Sequence, residues 1–265
     1  MLITSTPHNL PSKATSQPNK RSDLITSKPH YMIIFYCENI QTCPELSEED
    51  SGHAVRVLRH VEGDKIMVVD GVGHFYQCAI TAAHPKHCGL QILSVEEEQH
   101  WPYSVESAIA PTKNLDRMEW WLEKATEMGL DRFTPLKCRF SERKELKMER
   151  MRKIAISAMK QSLKATLPQL DEMTDIKQFL QEPFEGQKFI AHCMKDEPRK
   201  LLSHEVRPNT AVRVLIGPEG DFSPEEVQLA LANGYVPVSL GDQRLRTETA
   251  ALAAVHTVHI INELL

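Results

Sequence analysis

"AVRVLIGPEGDFSPEEVQLALANGYVPVSL", residues 211–240, decides the fold. It opens on a β-rich apolar run, breaks at two glycines flanking a Pro-Glu pair, continues as a helix and closes on a second β-rich run. Ser223-Pro224-Glu225-Glu226 reads as a capping box, with Ser at the N-cap, Pro at the first helical position and Glu226 at the third. Strand, loop, helix and strand in this order predict a βαβ unit with parallel strands. In open parallel sheets, ligands sit beyond the carboxyl ends of the strands. Gly217-Pro218-Glu219-Gly220 lies at such an end. The cap already engages the free amides of the helix, and Glu219 and Asp221 add negative charge, so this is no phosphate loop of the GxxxxGK[ST] kind. It suits a neutral or cationic ligand held by backbone groups. On pattern alone it reads equally as a plain tight turn.

Two further strand ends flank it. "KFIAHC" ends at Ala191-His192, and "VPVSL" runs into "GDQRLRTETAALAA". That last loop places Arg244, Arg246, Thr247 and Glu248 just before an Ala-rich helix. An arginine there is repelled by the positive end of the helix dipole. Arg246 therefore needs a partner, either Glu219 or Glu248 within the fold or a substrate base or phosphate.

Working outward, "VESAIA", "RFTPL" and "KFIAHC" alternate with helices at about 115–128 (stopped by Gly129) and 148–165, and a long helix at about 248–264 closes the chain. The expectation is an α/β fold with a mostly parallel sheet flanked by helices. The 148–165 helix carries Arg150, Lys153, Lys160 and Lys164 along one face. Across 137–164 ten Lys/Arg face three Asp/Glu, a local excess that fits phosphate contacts in an otherwise acidic chain. A solvated helix face is the plain alternative.

Residues 32–100 have a different texture. "MIIFYC", "KIMVVDGVGHFYQCAI" and "GLQILSV" read as strands, with a hairpin at Asp70-Gly71-Val72-Gly73. This small β domain is acidic, with eleven Asp/Glu against four Lys/Arg, and its basic exceptions Arg56 and Arg59 cluster with His53 and His60 in one helical connection. "EEEQHWPYS" (96–104) marks the boundary to a second domain at 101–265. Residues 1–31, rich in Ser, Thr, Pro and Lys with a single Arg, show no periodicity and no apolar signal core. They are expected to be a disordered leader or the result of an upstream start.

The whole chain has 265 residues, 41% hydrophobic and 25% charged, with a net charge of −5. No apolar run approaches the ~20 residues of a membrane span. Six scattered cysteines without a CxxC pair read as reduced thiols, which points to the cytoplasm. His84, His87 and Cys88 lack a second ligand pair and read as a surface loop, so no metal is expected. His256 and His259 read as packing or solvent positions.

"LIGPEGDFSPEE" and "SLGDQRLRTETAALAA", with "EKATEMGLDRFTPL", "RKIAISAMKQS" and "HAVRVLR" upstream, resemble the RsmE family over about 32–265. These are methyltransferases acting on ring N3 of a uridine in 16S ribosomal RNA of the small subunit. The resemblance implies a SPOUT-type knotted parallel sheet with a carboxyl-terminal trefoil knot, a small PUA-like β-barrel domain ahead of it (32–100), and a homodimer. It implies S-adenosyl-L-methionine as cofactor, held by His192, Ile216, Gly217, Glu219, Gly220, Ser239, Leu240, Gly241, Leu245 and Thr247. Arg246 is expected to stabilise charge on the uracil oxygens, with Glu219 or Glu248 orienting it or relaying the proton. His53, Arg56, Arg59, Lys153, Lys160 and Lys164 are expected to contact RNA.

Two positions depart from the family pattern. Gln161-Ser162-Leu163-Lys164 stands where the family often reads Q-S-G-R, and Asp221 replaces the glycine that usually follows GPEG. The rival readings are another SPOUT RNA methyltransferase, acting on a ribose 2′-hydroxyl or on tRNA, and a ribosome-assembly factor that binds RNA without catalysis.

Overall fold

A computed structural model describes residues 33–194 and 199–264. The leader expected at 1–31 lies outside the described residues. The amino-terminal part is a four-stranded sheet of β1 (Ile34–Tyr36), β2 (Lys65–Val69), β3 (His74–Ala82) and β4 (Gly89–Glu97), in that order. β1 runs parallel to β2 and the rest is an antiparallel meander. A bridge between Glu45 and Gly89 extends the sheet past β4. The Asp70 hairpin closes on its own side chain, since Oδ1 accepts from Val72 N (2.9 Å) and His74 N (3.1 Å), and Gly71 and Gly73 take φ of 84° and 107°. The connection holding Arg56 and Arg59 begins as α1 (Glu48–Gly52) and runs on as a π-helical turn over His53–Val57.

The second sheet is parallel throughout. Its main path is β10 (Lys200–Leu201), β12 (Val236–Ser239), β9 (Gln187–Ala191), β11 (Val212–Ile216), β5 (Val105–Ile109), β6 (Arg132–Lys137) and β7 (Gln169–Leu170), with β8 (Thr174–Asp175) also pairing with β6. β11 is buried along its whole length, as a central strand covered on both faces must be. Val214 and Ile216 join a core with Trp121, Leu122, Phe133 and Val258, while Leu215 between them joins Ile190, Phe222 and Val227 on the opposite face. One face is covered by α2 (Leu115–Met128), α3 (Met148–Gln161) and α7 (Thr247–Glu263). Toward the other lie α4 (Ile176–Phe179) and α6 (Pro224–Ala232). α5 (Leu202–Glu205) packs on α7.

Two helix ends show why the sequence read well in one place and overshot in another. α2 stops at Gly129, whose φ of 103° lets its own N–H and that of Leu130 return to Ala125 O (3.0 and 2.9 Å). α3 ends at Gln161, short of the expected 165. Leu163 adopts a left-handed φ of 57°, and Lys164 N closes the turn on Met159 O (3.1 Å). The apolar Leu163 hides a stop that glycine usually announces.

The two parts are bonded to each other. Arg152 Nη2 donates to Glu38 Oε1 (2.9 Å) and Tyr36 Oη (3.2 Å), and Lys160 Nζ donates to Asp50 Oδ1 (2.7 Å). Leu167 N donates to Gly71 O (2.8 Å), and Glu98 in the connecting segment accepts from Ala165 N and Thr166 Oγ1 (3.0 and 2.9 Å).

Candidate functional site

Register fixes the site before any side chain is considered. Ile216 of β11 lies level with Ala191 of β9 and Ile109 of β5, and Ala191 lies level with Val238 of β12. The segments that follow therefore leave one edge of the sheet side by side. They hold His192, the GPEG loop, and the Leu240–Arg246 loop. A fourth, Ala110–Asn114, was not signalled in the sequence; its Lys113 N donates to Glu219 Oε1 (2.9 Å).

The GPEG loop is shaped by packing. A Cβ on Gly217 would lie 3.2 Å from Phe222, and one on Gly220 3.1 Å from Phe140 Cβ, so the space freed by both glycines is occupied by aromatic side chains. Asp221 N bonds Pro218 O (2.9 Å), and Asp221 holds a left-handed φ of 65° that Asp tolerates better than most residues. Its carboxylate accepts from Phe222 N (2.8 Å) and from Cys193 N (2.7 Å). Asp221 thus ties the GPEG loop to the segment carrying His192. The capping box is complete: Ser223 Oγ accepts from Glu226 N (3.3 Å) and Glu226 Oε2 from Ser223 N (2.8 Å). Phosphate binding at this helix start is excluded by its own cap.

The third loop closes against the second. Thr247 Oγ1, buried, donates to Gly217 O (3.2 Å), which brings the two motifs into contact across thirty positions of sequence. Ser239 Oγ and the backbone of Gly241 bond one another (3.0 and 3.2 Å), with Gly241 at φ 120°. His192 is buried, and its Nδ1 accepts from Met194 N (3.2 Å).

Of the two candidate internal partners for Arg246, neither is used. Glu219 is engaged by Lys113 N, and Glu248 faces Arg117 Nε at 3.8 Å. Arg246 sits exposed at the N-cap of α7; its backbone carbonyl accepts from Ala250 N (2.8 Å), and its side chain makes no hydrogen bond or ion pair among the described residues. Glu248 is only 6% exposed, and its Oε2 is buried without a hydrogen-bond partner. A buried acceptor left open beside an acidic loop fits a ligand that brings positive charge or donors.

The residues expected to touch RNA divide. Arg56 and Arg59 are exposed and without partners among the described residues, while the His53 ring packs edge-on to Phe35 at 6.1 Å. Lys153 is exposed and meets only Glu149 (3.5 Å). Lys160 is bonded to the buried Asp50, and Lys164 Nζ caps the end of α2 by donating to Thr126 O (2.7 Å) and Glu127 O (2.5 Å). The basic stripe is therefore not one free surface, because Lys160 and Lys164 are bonded inside the fold and Arg150 is paired with Glu119 of α2.

The histidine–cysteine loop carries no metal geometry. Among the described residues, no group of three or more His, Cys, Asp or Glu could hold a metal ion. His87 Nδ1 pairs with Glu45 (2.9 Å) and Cys88 is buried. Nor is any helix among them long and apolar enough to cross a membrane.

The RNA methyltransferase domain family matches residues 99–259, and the RNA methyltransferase PUA domain matches 46–93. A Synechocystis protein named ribosomal RNA small subunit methyltransferase E is 30% identical over 78% of this chain and 70% of its own length. The chain belongs to the small-subunit rRNA methyltransferase E family. A crystal structure of a probable rRNA-methyltransferase from Porphyromonas gingivalis is 40% identical and covers 88% of this chain and 99% of its own (TM-score 0.84). A putative methyltransferase from Legionella pneumophila, solved with bound S-adenosylmethionine, is 31% identical over 87% of this chain and 98% of its own (TM-score 0.77). In this chain the 99–259 match contains all four edge loops, and the 46–93 match contains His53, Arg56 and Arg59.

Proposed function

We propose that this chain transfers a methyl group from S-adenosylmethionine to ring N3 of a uridine in 16S ribosomal RNA of the small subunit. The observation that carries the reading is the Thr247–Gly217 bond, which brings the GPEG and LRTETA motifs together with an unpartnered arginine at their junction. Related methyltransferases solved with S-adenosylmethionine support the choice of cofactor.

Residues Ile216, Gly217 and Glu219 on one side and Ser239, Leu240 and Leu245 on the other would hold the cofactor. His192 would stand at the third strand end. Bound there, S-adenosylmethionine supplies an electrophilic methyl group on a sulfonium, and an acidic loop suits that positive charge. Uridine N3 is a weak nucleophile while it carries its proton. Arg246, exposed at the N-cap of α7, stabilises the negative charge that spreads to the uracil oxygens as the N3 proton passes to Glu219 or Glu248. Glu248 lies in the first turn of α7, where the helix dipole favours an acidic side chain, and orients the arginine as substrate enters. The small β domain at 32–100 presents Arg56 and Arg59 to the RNA backbone. The working form is a homodimer in the cytoplasm, and the second domain carries a carboxyl-terminal trefoil knot.

The test is methyl transfer from labelled S-adenosylmethionine to undermethylated small subunits, naked 16S RNA and tRNA, followed by nucleoside analysis. The expected product is 3-methyluridine in 16S RNA. Label on a ribose hydroxyl or in tRNA would transfer the chain to another branch of the superfamily, and no label at all would favour a non-catalytic assembly factor.

A further inference from the structure

A second RNA contact lies beside the GPEG loop, in the segment between β6 and α3. Phe140 is 46% exposed, yet it sits on a rigid turn. Ser141 N donates to Cys138 O (3.1 Å), Cys138 N to Ser141 Oγ (3.0 Å), and Arg139 N to Glu226 Oε1 (2.7 Å) of the α6 capping box. The Arg139 guanidinium lies over the Phe140 ring, 5.8 Å from its centre. Phe140 also packs where a side chain on Gly220 would be, which places it directly against the cofactor loop. An isolated exposed aromatic is ordinary. One held by a pinned turn, flanked by an arginine and abutting the reactive edge is a preorganised surface.

Next to it opens a cleft of about 380 Å³ lined by Lys113, Glu142, Arg143, Lys144 and Glu145. Arg143 Nη2 donates to Lys113 O (2.7 Å), whose N–H in turn reaches Glu219, so the cleft and the GPEG loop share one hydrogen-bonded support. Arg143 Nε has no acceptor. Across 137–147 five Lys/Arg stand against two Glu. The pair Lys113–Glu142 (2.9 Å) is solvent-exposed and so readily exchanged for another anion.

We propose that Phe140 stacks a base of the RNA strand flanking the methylated nucleotide, and that Lys113, Arg143 and Lys144 take the adjoining phosphate. Single-stranded RNA is read by aromatic and arginine stacking beside basic side chains, which is the combination found here. The inference rests on the RNA methyltransferase reading and adds a substrate subsite to it.

The experiment titrates a fluorescein-labelled oligouridylate into wild type, Phe140→Leu, Phe140→Tyr and the double variant Lys113→Glu/Lys144→Glu over a range of salt, with S-adenosylmethionine affinity measured in parallel. Phe140→Leu keeps an apolar contact on Gly220 but has no ring. It should weaken RNA binding about tenfold and leave cofactor affinity unchanged, while Phe140→Tyr binds as wild type. The charge double should flatten the salt slope by roughly 0.7, the figure for one single-strand phosphate contact. Equal RNA affinity in wild type and Phe140→Leu, or matched losses of RNA and cofactor affinity, overturns the proposal. If wild type still methylates small subunits, only the subsite has failed. If wild type neither binds the oligouridylate nor transfers methyl, the enzymatic reading has failed with it.

Discussion

The loops at the carboxyl edge of the large sheet and the basic face of α3 both stand out by their charge, and they use it in opposite ways. At the edge, Arg246 is exposed and unpartnered and Glu248 keeps one buried oxygen open. On α3, Lys160 is bonded to a buried aspartate, and just past its end Lys164 is bonded to the last carbonyls of α2. A charge that the fold leaves unsatisfied where strand ends converge is available for chemistry, whereas one already bonded inside holds elements together. Residue type and spacing do not distinguish the two, because an internal acceptor can come from a distant part of the chain.

The largest break in that contrast is Arg246→Ala. Removing a group that stabilises charge only as the reaction proceeds should lower methyl transfer by about 10²–10³, with S-adenosylmethionine affinity changed by no more than a few-fold. Single-turnover kinetics beside calorimetric titration of the cofactor makes the comparison. Parallel loss of both would put Arg246 in the cofactor site and end its catalytic assignment.

Lys160→Met tests the other side. It strands Asp50, which is 8% exposed and keeps only Tyr36 N (3.3 Å) and Ser47-capped backbone around it. The expected cost is about 2 kcal/mol of unfolding free energy in urea, set by an uncompensated, partly buried carboxylate. Lys153→Met, on the same helix but exposed, should stay within ~0.5 kcal/mol. Native stability together with lost RNA affinity in Lys160→Met would return this lysine to the RNA surface.

These outcomes bear on what the sequence could tell. The strand–helix–strand reading of 211–240, the Ser223 cap and the Gly129 stop were legible because each depends on neighbours a few positions apart. That the edge loops end parallel strands was legible in the pattern, but the contact between two of them was not, since the Thr247–Gly217 bond joins residues with no local signal of one another. Lys113 and Phe140 were missed altogether: one is a lysine after a strand and the other a lone aromatic in a charged loop. Their role depends on Glu219 and Gly220, which are far from them in sequence, Glu219 being 106 positions beyond Lys113. Leu163 misled for a different reason, because a left-handed C-cap can be filled by a residue whose apolar side chain continues the helical pattern.

The finest test concerns Asp221, where charge serves position at the edge itself. Asp221→Gly removes the bonds to Cys193 N and Phe222 N but relieves a left-handed residue, a strain of about 1 kcal/mol, against a similar entropic cost of glycine. Those two terms nearly cancel, so the lost bonds set the net cost at roughly 1–3 kcal/mol, and the thermal midpoint should fall by about 2–8 °C. A second consequence should appear in geometry. With the His192 segment untied from the GPEG loop, cofactor affinity is expected to fall several-fold, and Asp221→Asn, which tolerates the same backbone and keeps one acceptor oxygen, should fall less. Cofactor affinity that is the same in all three proteins would mean that the two loops hold their places without the carboxylate. The contrast between charges that react and charges that build would then have no intermediate case at this edge.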